Sequence, residues 1–174
     1  MVAIIYSAEF LRHETGPTHP ECPARLTAIA TALRKMPGAN YLHWQKPSPV
    51  AWNLDSYILR CHSQEYLNKL AKLAELGGGS LDADTPVSLQ SYDVARLAVR
   101  AWLDGVDHVL NQREAVFVLA RPPGHHAIRN MGMGFCLLNN VAIAAHYALT
   151  RPGVERVAIV DWDVEHGFGT DAWV

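Results

Sequence analysis

The chain has 174 residues, 49% of them apolar, and a formal net charge of -2 at neutral pH. Such a length suits one domain whose core buries about 70% of the unfolded chain's surface. The near balance of charge excludes the electrostatic footprint of a nucleic-acid or anionic-membrane binder.

Three widely spaced cysteines, Cys22, Cys61 and Cys136, form no CxxC pair and fit a reducing compartment better than a disulfide framework. No apolar run approaches the roughly 18 residues of a membrane span. Residues 1–6 lack the length and basic flank of a secretion signal, so a cytoplasmic location is expected.

In chain order, the apolar residues 2–6 predict a first strand. Gly16, Pro17, Pro20 and Pro23 forbid regular structure over residues 13–26. His13, Glu14, His19, Glu21 and Arg25 on that stretch indicate a polar network or the rim of a site; a surface loop held by local hydrogen bonds is the more ordinary reading of each alone. A helix is expected over 26–36, with Leu26, Ile29, Ala30 and Leu33 on one face and Pro37-Gly38 as its stop. Residues 41–53 read as irregular. His62 reads as structural. Ser63 is a reasonable cap for a helix carrying Tyr66, Leu67, Leu70, Leu73 and Leu76, which Gly77-Gly78-Gly79 ends, opening a flexible loop.

Residues 82–88 form a turn-rich loop. Ser91 is a candidate cap for a helix over 92–110 with the stripe Leu97, Ala101, Val106, Val109 and Leu110. Residues 116–120 predict a buried strand, and Arg121-Pro122-Pro123-Gly124-His125-His126-Ala127 leaves it. Adjacent histidines on a proline-stiffened loop past a strand point to functional use. Residues 131–136 are apolar and punctuated by glycine, as a narrow channel wall or plain packing requires. Asn139-Asn140 are candidate caps for a helix over 141–149 that is apolar almost all round and hence deeply buried.

The run Val157-Ala158-Ile159-Val160 predicts a strand buried on both faces. Asp161, Asp163 and Glu165 alternate with Trp162 and Val164, so an extended chain sends the three carboxylates to one side. Carboxylates held together repel unless a cation or proton sits among them. An acidic loop with a satisfied cap is the ordinary alternative. The alternation of strands and helices indicates an α/β fold with a mostly parallel sheet, in one domain spanning 1–174.

Together these motifs resemble the amino-terminal part of a zinc-dependent histone deacetylase-like amidohydrolase. That superfamily includes histone deacetylases and acetylpolyamine amidohydrolases and shares its fold with arginases. The matching pieces are His13-x-x-Gly16-x-x-His19-Pro20-Glu21-x-Pro23-x-Arg25-Leu26, His62-Ser63-x-x-Tyr66-Leu67, Asp84-Thr85-Pro86-Val87-Ser88, the Arg121–Ala127 loop, Gly134-Phe135-Cys136-Leu137-Leu138-Asn139-Asn140, and Asp161-Trp162-Asp163-Val164-x-His166-Gly167-x-Gly169-Thr170. The resemblance implies a three-layer fold with helices on both faces of the sheet. It implies that His126 is the general base, that His125 is its electrostatic or acid partner, and that Asp161 hydrogen-bonds His125. It makes Asp163 a zinc ligand, Asp161 and Asp163 parts of a potassium site, and Gly134 and Phe135 the wall of an acyl channel. The implied substrate is an acylated lysine or polyamine, with no direct nucleic-acid or membrane contact.

Two positions depart from the family pattern. Glu165 stands where the family usually has a zinc-binding histidine, and carboxylates do bind zinc. Phe168 stands where an asparagine or aspartate commonly supports the second tandem histidine. The family's third zinc ligand and its oxyanion tyrosine belong to positions past Val174. The chain is therefore expected to be an incomplete domain, inactive alone, completed by a homo-oligomer or a second chain. A non-catalytic module that binds an acylated amine or a protein is the alternative.

Overall fold

The computed structural model describes every residue except 51, 52, 166, 173 and 174. Its centre is β1 (Val2–Ile5), flanked by β2 (Leu42–Gln45) and β5 (Ala115–Val118) in a parallel sheet of order β2-β1-β5. Ile4 is in register with Trp44 on one side and Phe117 on the other, so these three share a face. Arg34, in α1 (Pro23–Lys35), lies 4.1 Å over the Trp44 ring on that face. On the opposite face runs α4 (Ser91–Gln112). It passes so close at Gly105 that an added Cβ would lie 3.0 Å from Val118 Cγ2 and 3.4 Å from Val116 Cγ1. Helix, sheet and helix are thus stacked as the expected α/β layers.

Behind α4 pack α2 (Leu54–Cys61), α3 (Gln64–Glu75) and α5 (Asn140–Ala148), burying Ile58, Leu70, Val99, Leu103, Leu137 and Ile143 in one cluster. Ser63 caps α3 by accepting the Tyr66 N–H, and Asn139 caps α5 by accepting the Ala142 N–H. A two-stranded antiparallel ribbon pairs β3 (Gly78–Ser80) with β4 (Pro86–Ser88). A short α6 (Phe168–Asp171) follows the acidic segment. No helix among the described residues is long and apolar enough to cross a membrane.

Several sequence expectations are corrected. Pro23 opens α1 from its first turn, where a missing N–H costs nothing, and Ile29 is left partly exposed. Residues 41–53 contain β2, the glycine run supplies β3 instead of a flexible loop, and residues 82–88 contain β4. Ser91 is the first residue of α4 and not its cap, and Val109 and Leu110 lie toward solvent. β5 ends at Val118 and is not buried on both faces: Phe117 is 46% exposed where α1 no longer covers the sheet.

The largest correction concerns residues 157–160, which form no strand. Val160 is 78% exposed, and none of residues 155–160 makes a backbone hydrogen bond to another described residue. β-Branched residues favour strands only where a neighbouring edge takes up their backbone groups, and β5 does not pair with them.

Candidate active site

The loop after β5 is fixed first by Arg121, which is 2% exposed. Its Nε and Nη2 donate to the two carboxylate oxygens of Glu21 at 2.6 and 2.7 Å, and its Nη1 donates to the carbonyls of Phe10 and His13 at 3.0 and 2.8 Å. His13 Nδ1 meets Ser91 Oγ at 2.7 Å. Burial and the Arg121 charge push the His13 imidazole down to about 4. The stretch of residues 13–21 thus forms a polar network, as its composition indicated, but the network lies beneath the histidine loop. The Arg121–Pro122 peptide is cis.

His62 fixes the far end of the same loop. Its Nδ1 donates to the Ile128 carbonyl at 3.0 Å and its Nε2 accepts the Asn139 N–H at 2.9 Å. This pattern requires the neutral ring, and burial holds its pKa down to about 4. His62 is structural, as its sequence context indicated.

Between these anchors stand His125 and His126, ring centroids 4.0 Å apart. His125 Nδ1 lies 2.9 Å from Asp161 Oδ2. A carboxylate only accepts, so Nδ1 carries the proton and Nε2 is left free. The same hydrogen bond holds the Asp161 carboxyl below its ordinary range, against a smaller opposing effect of burial. The His126 imidazole is pushed down by burial and by the neighbouring His125, while Glu165, Asp163 and Asp161 oppose the shift. Its Nε2 is 3.9 Å from Glu165 Oε2.

The acidic segment is docked under this loop from its far side. Thr170 N donates to the His125 carbonyl at 3.0 Å. A Cβ on Gly169 would lie 2.6 Å from the same oxygen, so only glycine allows this approach. Asp161 Oδ1 accepts the Asp163 N–H, and Asp163 Oδ1 accepts the Glu165 N–H. The three carboxylates line one cavity of about 680 Å³, while Trp162 and Val164 are 90% and 99% exposed. The expected separation of the two sets therefore appears without a strand.

Gly134 and Phe135 lie on the other side of His126. Gly134 has φ +54° and Phe135 φ +68°, both left-handed. A Cβ on Gly134 would meet His126 Cδ2 at 2.5 Å. Phe135 stacks edge-on against His19 at 4.7 Å, and its N–H donates to Thr85 Oγ1 at 3.0 Å. Thr85 stands in one of the motifs of the sequence, but its role is not legible there because its partner is 50 residues away.

A metal centre needs converging donors, usually three protein ligands for catalytic zinc. Asp163 and Glu165 offer carboxylates, yet no group of three or more His, Cys, Asp or Glu side chains among the described residues is placed to hold an ion. His166 lies outside the described residues. The described residues therefore do not by themselves fit a zinc centre, and what they support unaided is proton transfer at the two imidazoles.

Residues 19–174 match the family model described as the histone deacetylase domain. The Synechocystis protein slr0245, described as uncharacterized, is 95% identical over 174 residues, covering all of this chain and 57% of its own length. A probable deacetylase of Archaeoglobus fulgidus is 37% identical over 171 residues, 98% of this chain and 47% of the relative. Polyamine deacetylase HDAC10 of Danio rerio is 38% identical over 178 residues, 96% of this chain and 26% of the relative. The crystal structure of the HDA15 HD domain superposes with a TM-score of 0.87 at 32% identity, covering 99% of this chain and 50% of that one. The chain thus spans about half, or less, of the length of most of these relatives.

Proposed function

Because this chain belongs to the histone deacetylase domain family, we propose that it carries the histidine half of an amidohydrolase site that removes acyl groups from acylated lysine or polyamine amines. The observation that carries this reading is the His125 Nδ1–Asp161 Oδ2 hydrogen bond beside His126. It fixes one imidazole by a carboxylate and leaves the second, with a lowered proton affinity, neutral near pH 7. A neutral imidazole is fit to take a proton from an attacking water. His126 has that role. His125, held by Asp161, stabilises the charge that develops, and the proton taken up by His126 passes to the departing amine. Gly134 and Phe135 wall the path of the acyl chain.

The family resemblance assigns zinc, or another divalent metal, to Asp163 and Glu165, and potassium to Asp161 and Asp163. When bound, a zinc ion polarises the amide carbonyl and acidifies water. Asp163 and Glu165 would be two of its donors, and the remaining donors would come from outside the described residues. In this reading residues 1–174 supply the two imidazoles and two of the donors, and are inactive without the remaining donors.

Turnover of acetyl-lysine and acetylpolyamine substrates tests this, measured for the chain and for a full-length protein carrying these residues. The full-length protein is expected to turn over, with a loss of about 10² to 10⁴ in rate for His126→Ala, and the chain alone is expected to be silent. Full-length turnover untouched by His126→Ala would sink the reading.

A second reading, a non-catalytic module that binds acylated amines, is favoured by Glu165 and Phe168 at the two departing positions. Its test is whether Glu165→His with Phe168→Asn raises full-length turnover. Recovered turnover assigns the loss of catalysis to these two positions and no effect assigns it elsewhere, while the absence of calorimetric heat with an acetyl-lysine peptide counts against the binding module.

A further inference from the structure

The channel wall is held by a loop that belongs to neither the histidine pair nor the acidic segment. Thr85 is fully buried, and its Oγ1 accepts the Phe135 N–H at 3.0 Å. The Asp82 carboxylate of the same loop takes the N–H of Asp84 at 3.0 Å, and the Thr85 hydroxyl and the Gly134 amide lie near enough to help keep it ionised. Burial raises the Asp82 carboxyl, but these donors outweigh it and hold it below its ordinary range. Residues 82–85 therefore grip the Phe135 amide and stand beside that of Gly134.

Those two residues are consecutive left-handed ones. The conformation is unfavourable for a phenylalanine and persists only where its surroundings fix it. The bend brings Gly134 against the His126 ring and sets Phe135 edge-on to His19. His19 is itself tied by Nε2 to the Asp84 carbonyl at 3.0 Å. Both supports of the Phe135 ring thus lead back to the same loop.

We propose that Thr85, braced by Asp82, is the positioning residue that fixes Phe135 and thereby sets the width of the acyl channel beside His126. This rests on the deacylase reading of that channel. Without the hydroxyl acceptor, the Phe135 amide loses its buried partner, the backbone relaxes toward negative φ, and the ring moves off the wall.

Amide hydrogen exchange by NMR on the full 174-residue chain tests the clamp independently of turnover. In Thr85→Val the Phe135 amide is expected to exchange about tenfold faster, as for the loss of one ordinary hydrogen bond, and in Thr85→Ser to stay within about threefold of the parent. Asp82→Ala, a milder change should Thr85→Val not fold, is expected to speed the Gly134 amide about tenfold. Parallel titrations with acetyl-lysine and butyryl-lysine peptides read the width: Thr85→Val should erode the acetyl preference by about tenfold and Thr85→Ser should retain it. Unchanged exchange in both Thr85→Val and Asp82→Ala overturns the clamp. Faster exchange with unchanged acyl-length preference overturns the width role. If a full-length protein carrying these residues binds neither peptide, the deacylase reading of the channel falls and the width role with it, and the exchange rates then decide the clamp alone.

Discussion

Arg121 and Glu21, a hundred residues apart in sequence, form a two-pronged ion pair at 2.6 and 2.7 Å in which both side chains are 2% exposed. The pair joins the loop before α1 to the first residue of the histidine loop. Removing one partner leaves the other charge buried and unpaired, a loss of about 3–5 kcal/mol. Glu21→Ala should lower stability by that amount in urea denaturation. A loss below about 1 kcal/mol would mean that water and the Phe10 and His13 carbonyls satisfy Arg121 without the carboxylate.

The His125–Asp161 hydrogen bond predicts a titration. His125 holds the Asp161 carboxyl low, so His125→Ala should return it toward the usual carboxylate range, read by carbon NMR of the carboxyl. The sign for stability follows. A carboxyl lowered by folding contributes above its unfolded value near pH 4 and loses that contribution as pH falls through the folded value. With the Asp161 side chain 34% exposed, screening keeps the effect on stability small. An unmoved Asp161 titration in His125→Ala would show that the contact does not persist in solution.

How far the sequence reveals this arrangement depends on whether a feature is local. The caps Ser63 and Asn139 are legible because a cap acts on the turn that follows it. The one-sided placement of Asp161, Asp163 and Glu165 is legible because alternation survives without a strand. The strand expected at 157–160 fails because Val-Ala-Ile-Val carries only a propensity, while a strand also needs a ladder, and none forms with β5 at the edge of the sheet. Conversely β2 is missed because Leu42-His43-Trp44-Gln45 is short and runs toward Pro47 and Pro49; its partner β1 makes it a strand. Thr85 and Arg121 act on residues 50 and 100 positions away, and no local pattern announces that.

His13 and His62 predict acid sensitivity. Both are buried and neutral, each pushed down to about 4, chiefly by burial. As pH falls through about 6.5 the unfolded imidazoles take up protons while the folded ones do not. Their contribution therefore declines from about pH 6.5 to about pH 4 and levels off below, by roughly 7 kcal/mol at most for the two at about 1.4 kcal/mol per pH unit each. Chemical denaturation at pH 8 and pH 5 measures the drop. His62→Gln should lower stability at pH 8, where the Ile128 and Asn139 contacts are lost, and shrink the difference between the two pH values. An undiminished difference would assign the acid sensitivity to other groups.

Gly134 packs against the His126 ring and so links the Phe135 loop to the histidine pair. Its φ of +54° is strained for any residue with a Cβ, and that atom would stand 2.5 Å from His126 Cδ2. Backbone in strand β5 and the Arg121 anchor hold the loop beneath, so the imidazole must give way. Gly134→Ala is expected to destabilise the chain by about 1–3 kcal/mol and to shift the His126 ring resonances, with those of His62 unmoved. Gly153, also left-handed at φ +80° but with nothing within 4 Å of an added Cβ, is the control. Gly153→Ala should carry the backbone strain alone and leave His126 where it is. If both substitutions cost the same and neither moves His126, the contact with the ring does not constrain the site.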